Sequence, residues 1–460
     1  MRDCPICVVK LGSAVITTPS GALDTAFLRE ICRGVSVIAA KGWAPVIVSS
    51  GARTTGRAVL RAHFGSVPEF SNERRALSAV GQSRLVTTYA TLLEEHASTL
   101  VPAQVLLTRQ ALGQRDRYPA IRETLLDMLR NSIVPIINNN DVTNSYRVDF
   151  VDNDQITAYV AGMLEARQVI IISDAGGIYD KNPRIPGDAR RIALLPSQLS
   201  AWPSIAIDDT GSSFGGMANK LEAIRLLNIL GIPTRVAAKD EHDVVVRSIN
   251  NKDSDFGTRV DPDESAQLNP YKRWLCTGAL SKGMLLLSDP GAERLTQSAN
   301  MGKSISILAV GVIGHHGLFE RGDAVTIRGN NYELVGIGRV RCGSSELGKL
   351  RSERPSTIVI HANEMLASAR VRFLSINDRQ TVISAYRRML DQGFNIRENR
   401  PGCGETNEGG IIRVGSKKGD EGEVCYRGIE ARKVWREASH ASKVIGVKVD
   451  EWIMFRATTG

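Results

Sequence analysis

A chain of 460 residues and 50.0 kDa exceeds the roughly 250–300 residues at which one hydrophobic core stops growing, so we expect two or three domains. Hydrophobic residues at 42% and charged residues at 23% are ordinary for a soluble globular protein, and no apolar run reaches the roughly 18 residues that a membrane-spanning helix needs. The net charge of +9 favours an anionic ligand such as a nucleotide, or contact with nucleic acid, and charge alone does not decide between them.

The N-terminal segment runs from Met1 directly into a strand pattern without the apolar core of a signal peptide, so we expect a cytoplasmic protein. The seven cysteines are odd in number and scattered, which favours a reducing compartment over a disulfide framework. Cys4 and Cys7 form a Cys-x-x-Cys pair without the second pair that a structural zinc site needs. We therefore expect thiols buried at a strand edge rather than a metal site.

Short apolar runs typical of buried strands alternate with helical patterns in the first half of the chain. The strand patterns lie at residues 7–9, 45–48, 104–107, 133–137 and 168–172. Helical patterns separate them, as at 24–38, 76–93 and 120–129. Such alternation predicts an α/β fold with a mainly parallel open sheet sandwiched by helices.

Polar residues follow these strands at the edge where parallel sheets bind ligands. Lys10 follows the first strand, and Ser50 with Gly51 follows the second, where exposed backbone N–H groups suit a carboxylate or a phosphate. Asp141 ends an asparagine run after the fourth strand, and Asp174 follows the fifth. Each position also suits an ordinary turn or a solvated side chain, and the spacing alone does not choose.

Two helix starts carry further candidates. Asp152-Asn153-Asp154 precedes an apolar helical pattern, as capping residues would. Gly215 and Gly216 precede a helix whose first turn carries Lys220, an arrangement that allows the backbone to approach phosphates. Neither of the familiar glycine signatures of nucleotide-binding loops is present, so this would be a phosphate site of another type.

The order and spacing of these motifs resemble the amino acid kinase family, and most closely its glutamate 5-kinases, over residues from about 7 to 238. The matching stretches are Val9-Lys10-Leu11-Gly12, Ile47-Val48-Ser49-Ser50-Gly51-Ala52, Val80-Gly81-Gln82-Ser83, Leu107-Thr108-Arg109, Pro135-Ile136-Ile137-Asn138, Asp152-Asn153-Asp154, Asp174 with Gly177-Ile178-Tyr179, Asp180 with Pro183-Arg184, and Gly215-Gly216-Met217 with Lys220. No one stretch is decisive, and their shared order makes the resemblance specific.

The resemblance implies ATP-dependent phosphorylation of the side-chain carboxylate of L-glutamate to L-glutamyl 5-phosphate, the first step of proline biosynthesis, with Mg²⁺ held mainly by the nucleotide. Because a carboxylate acceptor is already ionised at neutral pH, the reaction needs no general base. It needs in-line positioning and cancellation of the charge on the transferring phosphoryl group.

The same resemblance implies the roles of individual residues. Lys10 and Lys220 would reach the phosphates from opposite sides, with Asp154 holding both lysines, so we expect their amines to share one cavity. The implied glutamate-binding residues are Ser50, Gly51, Asp141, which would meet the ammonium group, and Asn153. The implied nucleotide-binding residues are Lys10, Ser173, Asp174, Phe214, Gly215, Gly216, Met217, Ala218, Asn219 and Lys220. No protein side chain is expected to bind the metal.

Three positions depart from the family pattern. The family usually has glutamate where Asn139 stands, glycine where Val151 stands and threonine where Phe214 stands. An amide at 139 removes a negative charge near the substrate ammonium, and Phe214 offers no hydroxyl to ATP. We expect an active enzyme because both lysines and Asp154 are intact and electrostatic stabilisation is the largest catalytic term.

The second half of the chain resembles the PUA domain that microbial glutamate 5-kinases carry. The resemblance starts at Lys272-Arg273-Trp274-Leu275 and includes Arg321-Gly322-Asp323-Ala324-Val325, and short strand patterns separated by glycines independently fit a small β-barrel. We therefore predict a kinase domain at 1–240, a linker at 241–271, a PUA-like domain at 272–367 and an extension of unassigned α+β fold at 368–460.

Two alternatives stay open at this point. Another amino acid kinase, for acetylglutamate or aspartate, is possible, although the Gly81-Gln82 stretch and the PUA-like region argue against both. An inert kinase fold acting through RNA or a partner is the other, but the PUA-like region lacks the cluster of basic and aromatic residues that stacking platforms use. The family resemblance also implies a homo-oligomer and feedback inhibition by proline through the loop between Asp141 and Asp152. The lack of a long apolar run predicts no membrane association.

Overall fold

The computed structural model of the protein describes residues 4–97, 99–114, 117–143, 152–181, 183, 188–197, 202, 216–249, 256–262, 268–330, 334–367, 394–398, 411–416 and 424–427. The chain divides into two compact units, Met1–Ala279 and Leu280–Gly460. Among the residues described, no helix combines the length and apolar character needed to cross a membrane.

The first unit is built on one large sheet. Its described strands are β1 (Ile6–Leu11), β2 (Ala44–Ser49), β3 (Val101–Leu107), β4 (Ile133–Asn139), β5 (Gln168–Ile172), β6 (Ile178–Tyr179), β7 (Arg191–Ile192), β8 (Leu194–Leu195), β9 (Thr234–Ala237) and β10 (Thr258–Val260). Eight of them form a sheet in the order β3-β4-β2-β1-β5-β9-β10-β8, while β6 and β7 form a separate pair. All neighbours in the large sheet are parallel except β9 and β10. The predicted mainly parallel sheet is confirmed.

Helices cover both faces of this sheet. They are α1 (Ser13–Ile16), α2 (Thr25–Ala40), α3 (Ala52–Phe64), α4 (Glu73–His96), α5 (Arg109–Gly113), α6 (Arg117–Arg130), α7 (Asn153–Leu164), α8 (Gly216–Ile229), α9 (Val244–Ile249) and α10 (Pro270–Thr277). Cys7, Val9 and Leu11 of β1 belong to the core that includes α2 and α4. Because strand side chains alternate between faces, the intervening Lys10 faces the other side, where β1 contacts α7.

The structure differs from the predicted linker at 241–271. Part of that segment forms α9, which packs on α2, and β10, which pairs with β9 in the main sheet. Val244, Val245, Phe256 and Val260 are almost fully buried, and their burial fixes this polar-looking segment to the first unit. The predicted PUA-like domain was to begin at Lys272, but Lys272 lies in α10, which packs against α7 in the first unit.

The second unit contains a smaller mixed sheet. Its elements are β11 (Ser281–Leu287), α11 (Asp289–Asn300), β12 (Ile307–Leu308), β13 (Val312–His316), β14 (Ala324–Arg328), β15 (Leu334–Arg339), α12 (Leu347–Glu353), β16 (Ile358–Ile360), β17 (Met365–Ala367), β18 (Phe394–Glu398), β19 (Ile411–Ser416) and β20 (Val424–Arg427). Five strands form a sheet in the order β13-β11-β14-β15-β17, and β12 pairs with β16. This sheet is open in the part of the unit that is described, so closure into a barrel stays a prediction.

The C-terminal extension contributes one described feature, a three-stranded antiparallel sheet of β18, β19 and β20. The helical pattern that we noted at 382–390 and the strand-like pattern at 444–447 lie outside the described residues. The predicted α+β character of this region therefore stays a prediction.

Candidate active site

The carboxyl end of β1 delivers a lysine to the N-terminus of α7. Lys10 is 4% exposed and Asp154, in the first turn of α7, is 2% exposed. Lys10 Nζ lies 2.5 Å from Asp154 Oδ1, a charge-assisted contact between two side chains withdrawn from water. A strand lysine that alternates with core residues is therefore paired directly with a carboxylate in the first turn of a helix.

A second lysine reaches the same carboxylate from α8. Lys220 Nζ lies 3.4 Å from Asp154 Oδ2, so one carboxylate bridges two ammonium groups through its two oxygens. Burial alone would raise the pKa of Asp154, but the positive charges of Lys10 and Lys220 hold that pKa below its ordinary value. Burial lowers the pKa of Lys220, and repulsion from Lys10 adds to this. The cluster, which we call the ion triad, carries two cations for one anion.

The first turns of α7 and α8 are joined by a second contact. Asp152 caps α7, accepting from the backbone N–H of Asp154 at 3.4 Å, and Asn219 Nδ2 donates to the other Asp152 oxygen at 3.4 Å. Asn219 and Lys220 are consecutive on α8, so both bind α7 at its N-terminus. This fixes the position from which Lys220 approaches the triad.

The four predicted glutamate-binding residues line one cavity. Its volume is about 170 Å³, and its lining residues are Ser13, Ser50, Gly51, Ala52, Arg53, Thr54, Arg74, Asn138, Asn139, Asp141, Asp152 and Asn153. Asn153 lines the cavity and is followed directly by the triad residue Asp154. The cavity therefore lies beside the start of the helix that carries Asp154, and it presents both acidic and basic side chains.

Amide side chains form the connected part of this cavity. Asn153 Nδ2 donates to Ser50 Oγ at 2.9 Å and to Asn138 Oδ1 at 2.9 Å. Asn138 Nδ2 donates in turn to Gln82 Oε1 of α4 at 2.7 Å. The backbone N–H of Asn139 donates to Asn153 Oδ1 at 3.2 Å and to Asn138 Oδ1 at 2.8 Å. These bonds hold β2, β4, α4 and α7 around the cavity without any ion pair among them.

Two glycines permit the close crossing of α3 and α4 that brings α4 to the cavity. A Cβ at Gly81 would overlap the carbonyl oxygen of Ala52, and one at Gly56 would overlap that of Leu77. Gly51, at the start of α3, has φ of 94° and a Cβ there would collide with Ile16. The crossing places Ser78 and Gln82, one helical turn apart, on the cavity side of α4.

The predicted nucleotide-binding residues are only partly described. Ser173 is 3% exposed at the carboxyl end of β5, and its hydroxyl has no hydrogen-bond partner among the described residues. Asp174 follows it on the surface. In the first turns of α8, Met217 and Asn219 are half-buried beside Lys220. Gly216 and Ala218 lie on the α8 backbone, whereas Phe214, Gly215 and the departure Val151 are outside the described residues.

Sequence reasoning missed several side chains of this site. Ser78, Arg53 and Arg74 line the cavity or contact its acidic group and were not predicted. The one signal for Ser78 was its spacing of four residues from Gln82, which belongs to a matching stretch and shares its helix face. Arg53 follows the predicted Gly51 by two residues, and its presence in the first turn of α3 was visible in the sequence.

Comparison with known proteins places these residues in context. A model of the amino acid kinase family matches residues 5–238, and a model of the PUA domain matches residues 297–361. A curated glutamate 5-kinase from Marinomonas sp. (strain MWYL1) is 36% identical over 352 residues, covering 76% of this chain and 91% of the relative. Glutamate 5-kinase 1 from Bacillus subtilis (strain 168) is 30% identical over 367 residues, 78% of this chain and 97% of the relative. The glutamate 5-kinase of Methylococcus capsulatus (strain Bath) is 34% identical over 355 residues, covering 76% and 90%.

Proposed function

Since the chain belongs to the amino acid kinase family and to its glutamate 5-kinases, we propose that it transfers the γ-phosphoryl group of ATP to the side-chain carboxylate of L-glutamate. The product is L-glutamyl 5-phosphate, and the reaction is the first step of proline biosynthesis. The PUA domain follows the kinase region in the same chain.

One observation carries this proposal: Asp154 bridges Lys10 and Lys220 beside a cavity lined by Ser50 and Asp141. Two ammonium groups for one carboxylate leave an excess positive charge where a triphosphate must be bound. The adjoining cavity offers an acid for an ammonium group together with the arginines and helix N-terminus that suit carboxylates. A small acidic amino acid carries both kinds of group.

The residues support a mechanism of positioning and charge cancellation. The acceptor carboxylate is ionised at neutral pH and attacks without a base. As charge redistributes on the transferring phosphoryl group, Lys10 and Lys220 would hold it from two sides, while Asp154 keeps both amines in place. The triad is buried before substrates bind, so its orientation costs little at the moment of reaction.

The described residues fit a nucleotide at the carboxyl ends of β1 and β5. The buried Ser173 hydroxyl has no partner among the described residues, and Gly12 has no side chain to crowd the approach to Lys10, since a Cβ there would stand 3.9 Å from Nζ. Lys10, Ser173, Asp174 and the start of α8 through Lys220 would hold ATP. Mg²⁺, which the nucleotide itself would mainly hold, would neutralise part of the phosphate charge.

The location, assembly and regulation of the protein are proposed from its cysteines and its family. A cytoplasmic location agrees with Cys7, Cys32, Cys276 and Cys342, which are buried free thiols, since reducing compartments preserve thiols. A homo-oligomer and feedback by proline follow from the family resemblance. RNA binding by the PUA domain is the alternative that we do not favour, because its sequence lacks a cluster of basic and aromatic residues. The residue range 368–460 is proposed as a separate extension.

ADP release by the full chain with L-glutamate, N-acetyl-L-glutamate and L-aspartate tests the substrate. Trapping with hydroxylamine tests the bond formed, because an acyl phosphate yields a hydroxamate and a phosphorylated hydroxyl group does not. We expect ADP release and hydroxamate only with glutamate. Turnover of N-acetylglutamate or aspartate alone would refute the substrate, and no turnover together with salt-dependent RNA binding would favour the inert-kinase alternative.

A further inference from the structure

Each oxygen of the Asp141 carboxylate accepts one hydrogen bond from a side chain. Asn139 Nδ2 donates to Asp141 Oδ1 at 3.1 Å, and Ser78 Oγ donates to Asp141 Oδ2 at 2.7 Å. We propose that Ser78 and Asn139 are positioning residues that orient Asp141 as a receptor for the substrate's α-ammonium group. This deepens the proposed function and rests on it.

Both donors are held rigidly. Ser78 is 4% exposed on α4 and Asn139 is 7% exposed at the end of β4, so the donors come from two different elements of the core. Asp141 itself is half-buried in the turn that follows β4. Rotation of its carboxyl group would break both bonds at once, which fixes the plane of the carboxylate against the cavity.

The charge of Asp141 is left for a ligand. Both donors are neutral, and no lysine, arginine or histidine forms an ion pair with Asp141 in the described part of the chain. A carboxylate with two neutral donors retains its full negative charge and further lone pairs. A substrate ammonium group in the cavity would supply the missing cation. The amide at Asn139 matters because a carboxylate there could not donate to Asp141.

This arrangement separates recognition of the ammonium group from recognition of the two carboxylates. Ser78 and Asn139 each donate a side-chain hydrogen bond to Asp141, whereas the phosphoryl chemistry belongs to Lys10 and Lys220. Removing either hydrogen bond to Asp141 should therefore weaken the binding of only those ligands that have an amino group. Glutarate, which is glutamate without its amino group, is the matched probe.

The test compares Ser78→Ala and Asn139→Ala with the wild-type full chain. We expect each variant to raise KM for L-glutamate about fivefold, the effect of losing one hydrogen bond of roughly 1 kcal/mol, with kcat and KM for ATP within about twofold. The inhibition constant of glutarate against glutamate should stay unchanged. Two control variants remove groups that bond only to their own helix: Thr87→Ala on α4, whose hydroxyl donates to Ser83 O, and Asn131→Ala after α6, whose amide donates to Asp127 O.

Each outcome decides the matter. An unchanged KM for glutamate in Ser78→Ala would overturn the proposal that Ser78 orients Asp141. A parallel rise in the glutarate inhibition constant would also overturn it and would show that Ser78 has a general packing role. If Asn139→Ala does not fold, Ser78→Ala alone gives the answer, because it removes only a hydroxyl. Absence of glutamate turnover in the wild-type protein would instead refute the proposed function itself.

Discussion

The ion triad and the amino-acid cavity meet at two consecutive residues, yet they are built from opposite kinds of side chain. Asp154 belongs to the triad, where every member is charged and buried. Asn153 belongs to the cavity, where neutral amides and hydroxyls form the connected network. One helix start therefore serves a cluster of buried ions and a cavity whose connected contacts are neutral hydrogen bonds.

The difference follows from what each site must do. A phosphoryl group in transfer needs opposing charge, and charge buried away from water is strong but costly to leave unpaired. An amino acid needs several oriented contacts, which neutral hydrogen bonds supply at small individual cost. Single changes in the triad should therefore have large effects, and single changes in the cavity small ones.

The largest effect is expected for Asp154→Asn, which leaves two buried ammonium groups without an anion. Breaking a buried ion pair by removing one partner costs about 3–5 kcal/mol, so the free energy of unfolding should fall by that amount. Activity should fall at least about a hundredfold, because neither lysine keeps its orientation. Urea denaturation and initial rates measure the two effects.

Asp127→Asn is the matched control, because Asp127 pairs with Arg130 at 2.8 Å on the exposed surface of α6. Exposed pairs contribute about 0–1 kcal/mol, so this variant should be nearly neutral. Equal losses of stability in the two variants would remove the distinction between buried and exposed charge on which the comparison rests.

Removing one lysine should separate activity from stability. Lys220→Met leaves Lys10 paired with Asp154, a neutral buried pair, so the folded state should lose little stability. The kcat should still fall about 10²–10³-fold, as when one oxyanion donor is lost, while KM for glutamate changes little. A fall in the free energy of unfolding as large as that of Asp154→Asn would contradict this expectation.

The sequence predicts the large sheet well for a physical reason. Strands such as β1 and β5 are buried along their whole length, so each contains an unbroken run of apolar residues, 6–9 and 169–172, that the pattern makes visible. The strand β10 was missed because it is three residues long, Thr258–Val260, and includes an arginine. Its place in the sheet depends on pairing with β9, which local sequence does not encode.

The residues of the site also divide into those that the sequence predicts and those that depend on tertiary contacts. Lys10, Asp154 and Lys220 lie in distinctive stretches whose order resembles a family, and the structure brings all three together as expected. Ser78 was missed because its spacing from Gln82 indicates only a shared helix face, and its partner Asp141 is 63 residues away. That contact depends on the close crossing of α3 and α4, which is a tertiary feature.

The pH dependence of ATP use should report the triad. Burial lowers the pKa of Lys220 from 10.5, so the free enzyme should lose this positive charge at a pH below 10.5. The value of kcat/KM for ATP should fall in that range, whereas kcat should decline only at higher pH, because bound phosphates stabilise the ammonium form. Measurements of kcat/KM for ATP and of kcat from neutral pH up to 10.5 test both expectations.

The fall in kcat/KM for ATP at alkaline pH should not result from unfolding caused by deprotonation of Lys220. A lysine whose folded pKa is lowered binds fewer protons in the folded than in the unfolded state, so its contribution to stability increases as pH rises through the folded pKa. In Lys220→Arg the guanidinium stays charged, and the alkaline limb assigned to residue 220 should disappear even if the rate is lower. If the fall in kcat/KM for ATP at alkaline pH persists unchanged in that variant, it arises from a group other than residue 220.

The smallest effect is expected at the exposed rim of the cavity, for Arg53→Gln. Arg53 lines the cavity from the first turn of α3, where a positive side chain opposes the helix dipole unless an anion lies nearby. We expect it to attract the α-carboxylate of the substrate and therefore expect KM for glutamate to rise about threefold in the variant, with kcat unchanged.

Salt distinguishes this contact from the buried ones. Attraction between exposed charges is screened over about 8 Å at physiological ionic strength, so added salt should raise KM for glutamate in the wild type and less in Arg53→Gln. Arg57→Gln is the control, since Arg57 lies one turn further along α3 and pairs with Glu73 at 2.6 Å. If both variants lose the salt dependence equally, the effect belongs to the net charge of the surface rather than to the cavity, because Arg53 lines the cavity and Arg57 is not among its lining residues.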